Sequence, residues 1–482
     1  MRRWAIPVGG ALAVGLALTT AAVLPDVLAR EAVAVRSAGA MVSTEGSAEH
    51  EDSDRRHGDG APRDEHERLR APRVPTEVTP LVYSEPDTEL VATAYHLDAP
   101  IYARRDREPE VLGHLRRGRA LPVTERTYGP GCEGGAWYRV GLGVICTKHG
   151  FSVGPTVVAR AQRHVAASSV LPYRYASVVR GRGALRLHRE PREHERASLE
   201  RVRADATASK PEVVDLRMEG DYFVALDADP DAPLEGWVRT VRGRVVHASD
   251  LVATPTSRLV GSRLEGELRL PLAFVYGEPR PVHRLGDATG ASEAAVVGEA
   301  EVYARFSVRD QTRLGDARFV VDAEGRALRR EHVRIARRIE RPERVPEGVR
   351  WIHVDLSEQT LVAYESDRPI YATLVSTGRE GYETPRGTFR VREKYVGTTM
   401  RGEDPVDGPY EVEEVPWTQY YWRSYAIHGA YWHDAFGEVR SHGCTNLAPA
   451  DARFLFQWTS PRVPDGWHAR RLRAGTRLHF SP

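Results

Sequence analysis

The chain has 482 residues, 41% hydrophobic and 28% charged, and its 68 basic and 67 acidic side chains leave a formal net charge of +1. At roughly 150 residues per domain that length exceeds one core and implies three or so units. The composition excludes a bundle of membrane spans, and the charge excludes a global field drawing the protein to nucleic acid. The only lysines are Lys148, Lys210 and Lys394. The arginine excess therefore reads as codon bias, not as selection for phosphate.

Arg2 and Arg3 precede an apolar run from Trp4 to Leu24, followed by the small-residue stretch Val27-Leu28-Ala29. This predicts an export signal over residues 1–29 and places the protein in the periplasm or cell envelope. An apolar run of about 20 residues also suffices to span a bilayer, so an uncleaved anchor is the second reading. Gly9, Gly10 and Gly15 keep the run only mildly hydrophobic, which favours cleavage. Residues 30–85 are mostly Glu, Asp, Arg, Gly, Pro and Ser, too poor in apolar surface to order, and predict a disordered linker.

Over residues 86–160 short alternating segments lie between Gly and Pro breaks: Val91–Leu97, Val111–Leu115, Gly118–Val123, Trp137–Val140 and Val144-Ile145. Such spacing predicts a small β-barrel or sandwich. Cys132 and Cys146 flank a compact stretch read as a hairpin closed by Gly134-Gly135, and an oxidising compartment would join them. Three cysteines then leave Cys444 as a free thiol, a liability in such a compartment unless it is used. The runs Leu112–Val123 and Gly134–Val140 resemble a bacterial Src-homology-3-like module, which implies wall binding or positioning. A structural spacer is the other reading.

Residues 161–340 are predicted to be β-rich, with two loosely similar stretches that each close on a strand-Gly-strand pattern around Gly243 and Gly325. Their histidines, among them His188, His247 and His283, lack ligand spacing. The last unit, residues 341–482, opens with three alternating segments, Trp351–Leu356, Gln359–Tyr364 and Ile370–Ser376. Thr384–Phe389 makes a turn into another strand, and the acidic stretch Gly402–Glu414 precedes an aromatic run, Trp417–Tyr425. Pro449 and Asp451 open a helix over Ala452–Trp458. The whole chain is predicted to be mainly β and multidomain.

Ser441-His442-Gly443-Cys444 carries the chemistry. A thiol with an ordinary pKa of about 8.5 needs a base, and His428 and His442 are both near in sequence. Gly443 permits a sharp turn, so that the Gly443 and Cys444 amides would face one point as an oxyanion hole, and Asn446 would pin the loop to the backbone. A turn with a structural thiol is one alternative. A metal cluster of His428, His433, His442 and Cys444 is another, but its spacing matches no pair of ligand knuckles. No metal and no cofactor is expected.

Ile427-His428-Gly429 followed by Ser441–Asn446, together with Thr384-Pro385-x-Gly387-x-Phe389, resembles the catalytic domain of the YkuD-like L,D-transpeptidases. The resemblance implies a β-sandwich catalytic domain acting in cell-wall biogenesis and cell shape, a transferase whose partners are peptidoglycan stem peptides. Cys444 would be the nucleophile, His428 the base oriented by the Gly429 carbonyl, and Ser441 and His442 the residues that shape the loop. Tyr410, Trp417, Tyr420, Tyr431 and Trp432 fall where that family has a substrate lid, core packing being the other reading for each. The acceptor stays open: an amine of a second stem, a wall-attached protein, or water in an L,D-carboxypeptidase or amidase. A wall-cleaving peptidase of the NlpC type places its cysteine before its histidine, the reverse of the order here. A non-catalytic wall-binding protein would not keep nucleophile, base and glycine together.

Overall fold

The strands of the last unit are buried on both faces, and this locates the core. In a computed structural model describing residues 90–155, 169–179, 183–227, 236–285, 294–405 and 408–482, a six-stranded sheet runs in the order Ser262–Arg263, Arg368–Leu374, Thr360–Glu365, Arg350–Asp355, Arg477–Ser481, Gly387–Arg390. Ile352, Val354, Leu361 and Ala363 face one apolar cluster, while Trp351, Val362 and Tyr364 face another. That double cover explains why the alternation is between two cores and not between core and water. The first cluster is closed by Ala452, Leu455 and Phe456 of the helix Pro449–Trp458. Pro449 suits the first turn, where its missing N–H leaves nothing unsatisfied. At the other end of the helix the buried Lys394 Nζ donates to the Phe456 and Thr459 carbonyls, satisfying acceptors the helix leaves open.

The second layer is a long hairpin, Glu393–Asp404 against Gly408–Trp422, continued by Tyr425–Gly429 and, parallel to it, Thr445–Leu447. The acidic Gly402–Glu414 stretch is thus strand along most of its length. Glu414 and Trp417 both adopt positive φ, 51° and 57°, and the pairing register shifts between Thr398 and Met400. These irregularities reset the side-chain alternation along the hairpin.

The earlier units are built onto this hairpin. Strands from Val91–Ala94 to Phe151–Gly154 enclose a core of Ala92, Ile101, Leu115, Val140, Ile145 and Phe151, into which Trp467 of the last unit inserts. Val111–Arg116 pairs with Trp467–Arg471; at Gly113 any Cβ would lie 2.1 Å from the Ala469 carbonyl oxygen, so the register requires glycine. Cys132 and Cys146 are joined as a disulfide. The hairpin beside it, Trp137–Val140 with Gly143–Cys146, turns at Gly141-Leu142; Gly134-Gly135 lies in the preceding loop, a correction to the expected turn.

The strand-Gly-strand patterns around Gly243 and Gly325 are both hairpins. The first stretch also holds a helix, Glu193–Ala204, that the sequence pattern did not suggest, because only Leu199 and Val202 of its twelve residues are buried. Tyr222–Leu226 runs parallel to the long hairpin, with Tyr222 opposite Glu411 and Phe223 opposite Val412. Among the described residues no helix is long and apolar enough to cross a membrane. The expected export signal (1–29) and linker (30–85) lie outside the described residues.

Candidate active site

Two short parallel strands place the chemistry. In their register Ile427 stands opposite Thr445 and His428 opposite Asn446; Cys444 immediately precedes the second strand, and its thiol takes a hydrogen bond from the Ala426 backbone. Side chains two apart on a strand share a face, and registered partners do too. Ala426, His428 and Asn446 therefore share a face, with Cys444 at the entry to the second strand. Ser376 bridges to Asn446 from the six-stranded side and fixes the second strand in both directions, through Asn446 N–H to Ser376 O (2.8 Å) and Ser376 N–H to Asn446 O (2.9 Å).

The nucleophile loop is held from within and from below. Ser441 Oγ donates to the Cys444 carbonyl and accepts from Gly443 N–H at 3.1 Å. Thr384 Oγ1 donates to the Gly443 carbonyl at 2.8 Å and accepts from Gly378 N–H at 3.0 Å, which gives the Thr384–Phe389 element a direct grip on the turn. Gly443 adopts φ +110°, and a Cβ there would meet Tyr425 Cε1 at 2.6 Å. The Gly443 amide is therefore committed to Ser441 Oγ and is not one of two free donors, which corrects the expected pair of oxyanion amides.

Cys444 is half-buried, and burial pushes its thiol up to about 11, only partly offset by a hydrogen bond from the Ala426 backbone. His428 is 2% exposed, and burial holds its imidazole down to about 4. Its Nδ1 lies 3.2 Å from the Gly429 carbonyl oxygen, so Nδ1 carries the proton and the lone pair is on Nε2. Gly429 has no room for a side chain: a Cβ would sit 3.0 Å from Pro416 Cγ and 3.3 Å from Ala452 Cβ. Burial thus favours the neutral form of both the thiol, whose Sγ lies 3.7 Å from the Ser424 carbonyl oxygen, and the imidazole. Such a pair can transfer the thiol proton to Nε2 as sulfur attacks a carbonyl, and return it to a leaving amine.

The remaining expected residues divide. Trp432 stacks on the His428 ring at 5.7 Å, and Tyr410 stacks on the His442 ring at 4.9 Å. Tyr420 is half-buried, and burial, with Cys444 nearby, holds its hydroxyl above its ordinary range. Trp417 and Tyr431 are core residues and not part of a lid. Trp417 is 6% exposed, packs on Phe456 and donates to the Val170 carbonyl at 2.7 Å. Tyr431 is 1% exposed, stacks on Tyr175 at 3.7 Å and donates to the Glu413 carbonyl. Asn446 directs its amide not to the loop backbone but to His433 Nε2, at 2.8 Å.

The three histidines once grouped with Cys444 point to different partners: His428 to Gly429, His433 to Asn446, and His442 to Asp404. No group of three or more His, Cys, Asp or Glu side chains among the described residues is placed to hold a metal ion. Asp404 and Arg379, which meet at the nucleophile loop, were not anticipated. Their one signal was position, Arg379 just before the Thr384–Phe389 turn and Asp404 in the acidic stretch Gly402–Glu414.

Residues 349–466 match the family model of the YkuD L,D-transpeptidase catalytic domain. Among solved structures the chain is similar to an Enterococcus faecium L,D-transpeptidase mutant, at 25% identity over 27% of this chain and 49% of that one, with a TM-score of 0.23. It is also similar to the Mycobacterium smegmatis L,D-transpeptidase, at 17% identity over 36% of this chain and 80% of that one, with a TM-score of 0.23. For the catalytic domain of the E. faecium enzyme the identity is 24%, over 28% of this chain and all 100% of that one, with a TM-score of 0.22. The chain spans 49%, 57% and 54% of the solved structures it matches first. No curated protein matches it.

Proposed function

We propose that the protein is an exported peptidoglycan L,D-transpeptidase with Cys444 as nucleophile and His428 as general base and acid. The observation that supports the reading is the pairing of Tyr425–Gly429 with Thr445–Leu447, which brings the strand of His428 beside the strand that Cys444 leads into, with the His428 Nδ1 proton held by the Gly429 carbonyl. Cys444 sulfur attacks the carbonyl at the L-centre of diaminopimelate in a tetrapeptide stem while its proton passes to His428 Nε2. Collapse of the tetrahedral adduct breaks the amide bond, and His428 returns the proton to the departing D-Ala amine. An amine of a second stem then attacks the thioester, His428 takes its proton, and the thiol is regenerated as the new amide forms. Ser441, Gly443 and Thr384 hold the turn, and the Cys444 amide is the donor left to face the oxyanion.

The family match over residues 349–466 supports the reaction class, and the Cys132–Cys146 disulfide supports an oxidising compartment. The unit at residues 86–160 is proposed to be a Src-homology-3-like module that positions the enzyme on the wall.

Because Trp467 and the long hairpin are packed against the earlier units, the test uses the whole purified chain and not residues 341–482 alone. Incubation with a disaccharide-tetrapeptide should give a cross-linked dimer and free D-Ala by mass spectrometry, and Cys444→Ala should give neither. Hydrolysed monomer without dimer would move the assignment to a carboxypeptidase. No turnover from a folded wild-type chain, with no carbapenem adduct on Cys444, would leave only a wall-binding protein.

A further inference from the structure

We propose that Asp404 is a positioning residue for the nucleophile loop, acting through His442 and delivered to it by the long hairpin. This rests on the transpeptidase reading above and adds a residue to it. Asp404 ends the strand Glu393–Asp404 and is 2% exposed. Its Oδ2 lies 2.8 Å from His442 Nε2, and the Arg379 guanidinium binds the same oxygen. The His442 ring is stacked on Tyr410 at 4.9 Å with an interplanar angle of 13°, and meets the Tyr382 ring edge-on at 4.8 Å. Arg379 also donates its backbone N–H to the Ser441 carbonyl at 3.0 Å.

A side chain gripped on one nitrogen and beside two aromatic rings has little freedom. His442 precedes Gly443, whose φ of +110° sets the direction in which Cys444 leaves the turn. Ser441 and Thr384 hold the loop through Cys444 and Gly443 and the Arg379 amide holds Ser441, and the Asp404–His442 bond adds a hold on the remaining residue of the turn. Arg379 Nη2 lies 3.3 Å from His442 Nε2 but is spent on the Asp404 oxygen, and that carboxylate, at 2.8 Å, accepts from Nε2–H, so Asp404 favours the Nε2–H tautomer of His442. The same logic, a carboxylate orienting an imidazole, makes such partners costly to replace.

The hairpin that brings Asp404 is itself anchored far from the site. Arg116 pairs with Glu414, Arg242 reaches the same carboxylate at 3.3 Å, and Arg186 pairs with Glu411. These arginines come from the two units that precede the catalytic domain, so those units reach the nucleophile loop through Asp404.

The test compares Asp404→Asn and Asp404→Glu with wild type in the full chain. For Asp404→Asn we expect kcat to fall by about 10- to 100-fold, the loss associated with misplacing a catalytic group by about 1 Å, with KM changed less than about twofold. The melting temperature should hold, Asp404→Glu should recover most of the rate, and the imidazole 15N shifts of His442 should leave the pure Nε2–H pattern in the Asn variant alone. An unchanged kcat in Asp404→Asn, or a loss that tracks the unfolded fraction, overturns the proposal. If wild type shows no turnover, the transpeptidase reading falls, and the 15N shifts decide the positioning role by themselves: an Nε2–H tautomer kept in Asp404→Asn overturns it.

Discussion

His428 lies on a strand that pairs with the one Cys444 leads into, and the two are held by Ser376, Ser441 and Thr384 from the same domain. The opposite wall, with Asp404 and Tyr410 at its tip, is a hairpin whose burial depends on Arg116, Arg186, Arg242, Tyr175 and Val170, all from earlier units. The first wall is a local structure and the second a long-range one. A disturbance of the first should therefore act on chemistry without unfolding, and a disturbance of the arginine anchors of the second should act on stability first.

The sharpest break of that contrast is at His428. His428→Gln should lower kcat/KM by about 10²- to 10⁴-fold, the range for loss of a general base, while the thermal melt stays near wild type. Steady-state kinetics on both histidine variants decide the roles: a larger loss in His442→Gln than in His428→Gln would exchange base and loop support.

On the other wall, Arg116→Ala leaves Glu414, whose side chain is 0% exposed, without its nearest cation. Removing one partner of a buried pair costs about 3–5 kcal/mol, because the remaining charge stays buried. A denaturant melt should show that loss, with residual activity of the folded fraction preserved. A fully stable Arg116→Ala protein would mean that the earlier units do not anchor the hairpin.

Acid should act on both walls. Burial holds His428 and His353 down to about 4, and His433 and His468 down to about 3, so all four are neutral in the fold. In the unfolded chain each titrates near 6.5, so below that pH the unfolded state binds more protons. Stability is complete above about pH 6.5 and is lost as pH falls towards 4. Melting temperatures across that window should drop by an amount worth several kcal/mol, and kcat/KM should hold until its own acid limb near pH 4. An acid limb near 6.5 would show that His428 is more solvated than the fold implies.

The same contrast explains what the sequence revealed. Ser441–Asn446, His428-Gly429 and Thr384–Phe389 could be read because each is a local string whose chemistry needs only itself and its near neighbours. The three alternating strands that open the last unit were legible for the same reason. The burial of Asp404, Glu411, Glu413 and Glu414 could not be read because their arginine partners lie elsewhere in the chain. Glu413 shows how far that misleads: it is 1% exposed, and burial raises its carboxyl to about 7 although Arg186 lies 3.7 Å away. The helix Glu193–Ala204 escaped because it buries so little of itself that its apolar period is faint.

Trp417 gives the smallest effect and the most specific one. Family position made it a lid candidate with core packing as the other reading; Glu414 and Trp417 adopt positive φ, and the indole faces the core, where Nε1 donates to the Val170 carbonyl. Trp417→Phe keeps most of the apolar contact with Phe456 and removes only that hydrogen bond, so it should cost about 1 kcal/mol of stability. A lid residue would instead leave the melt unchanged and raise KM. Tyr410→Phe is the matched control, because Tyr410 reaches the cleft by stacking on His442 and the substitution keeps the ring. If Trp417→Phe shifts KM while the melt is unmoved, the hairpin bends the other way in solution, and its wall of the cleft is lined by the indole after all.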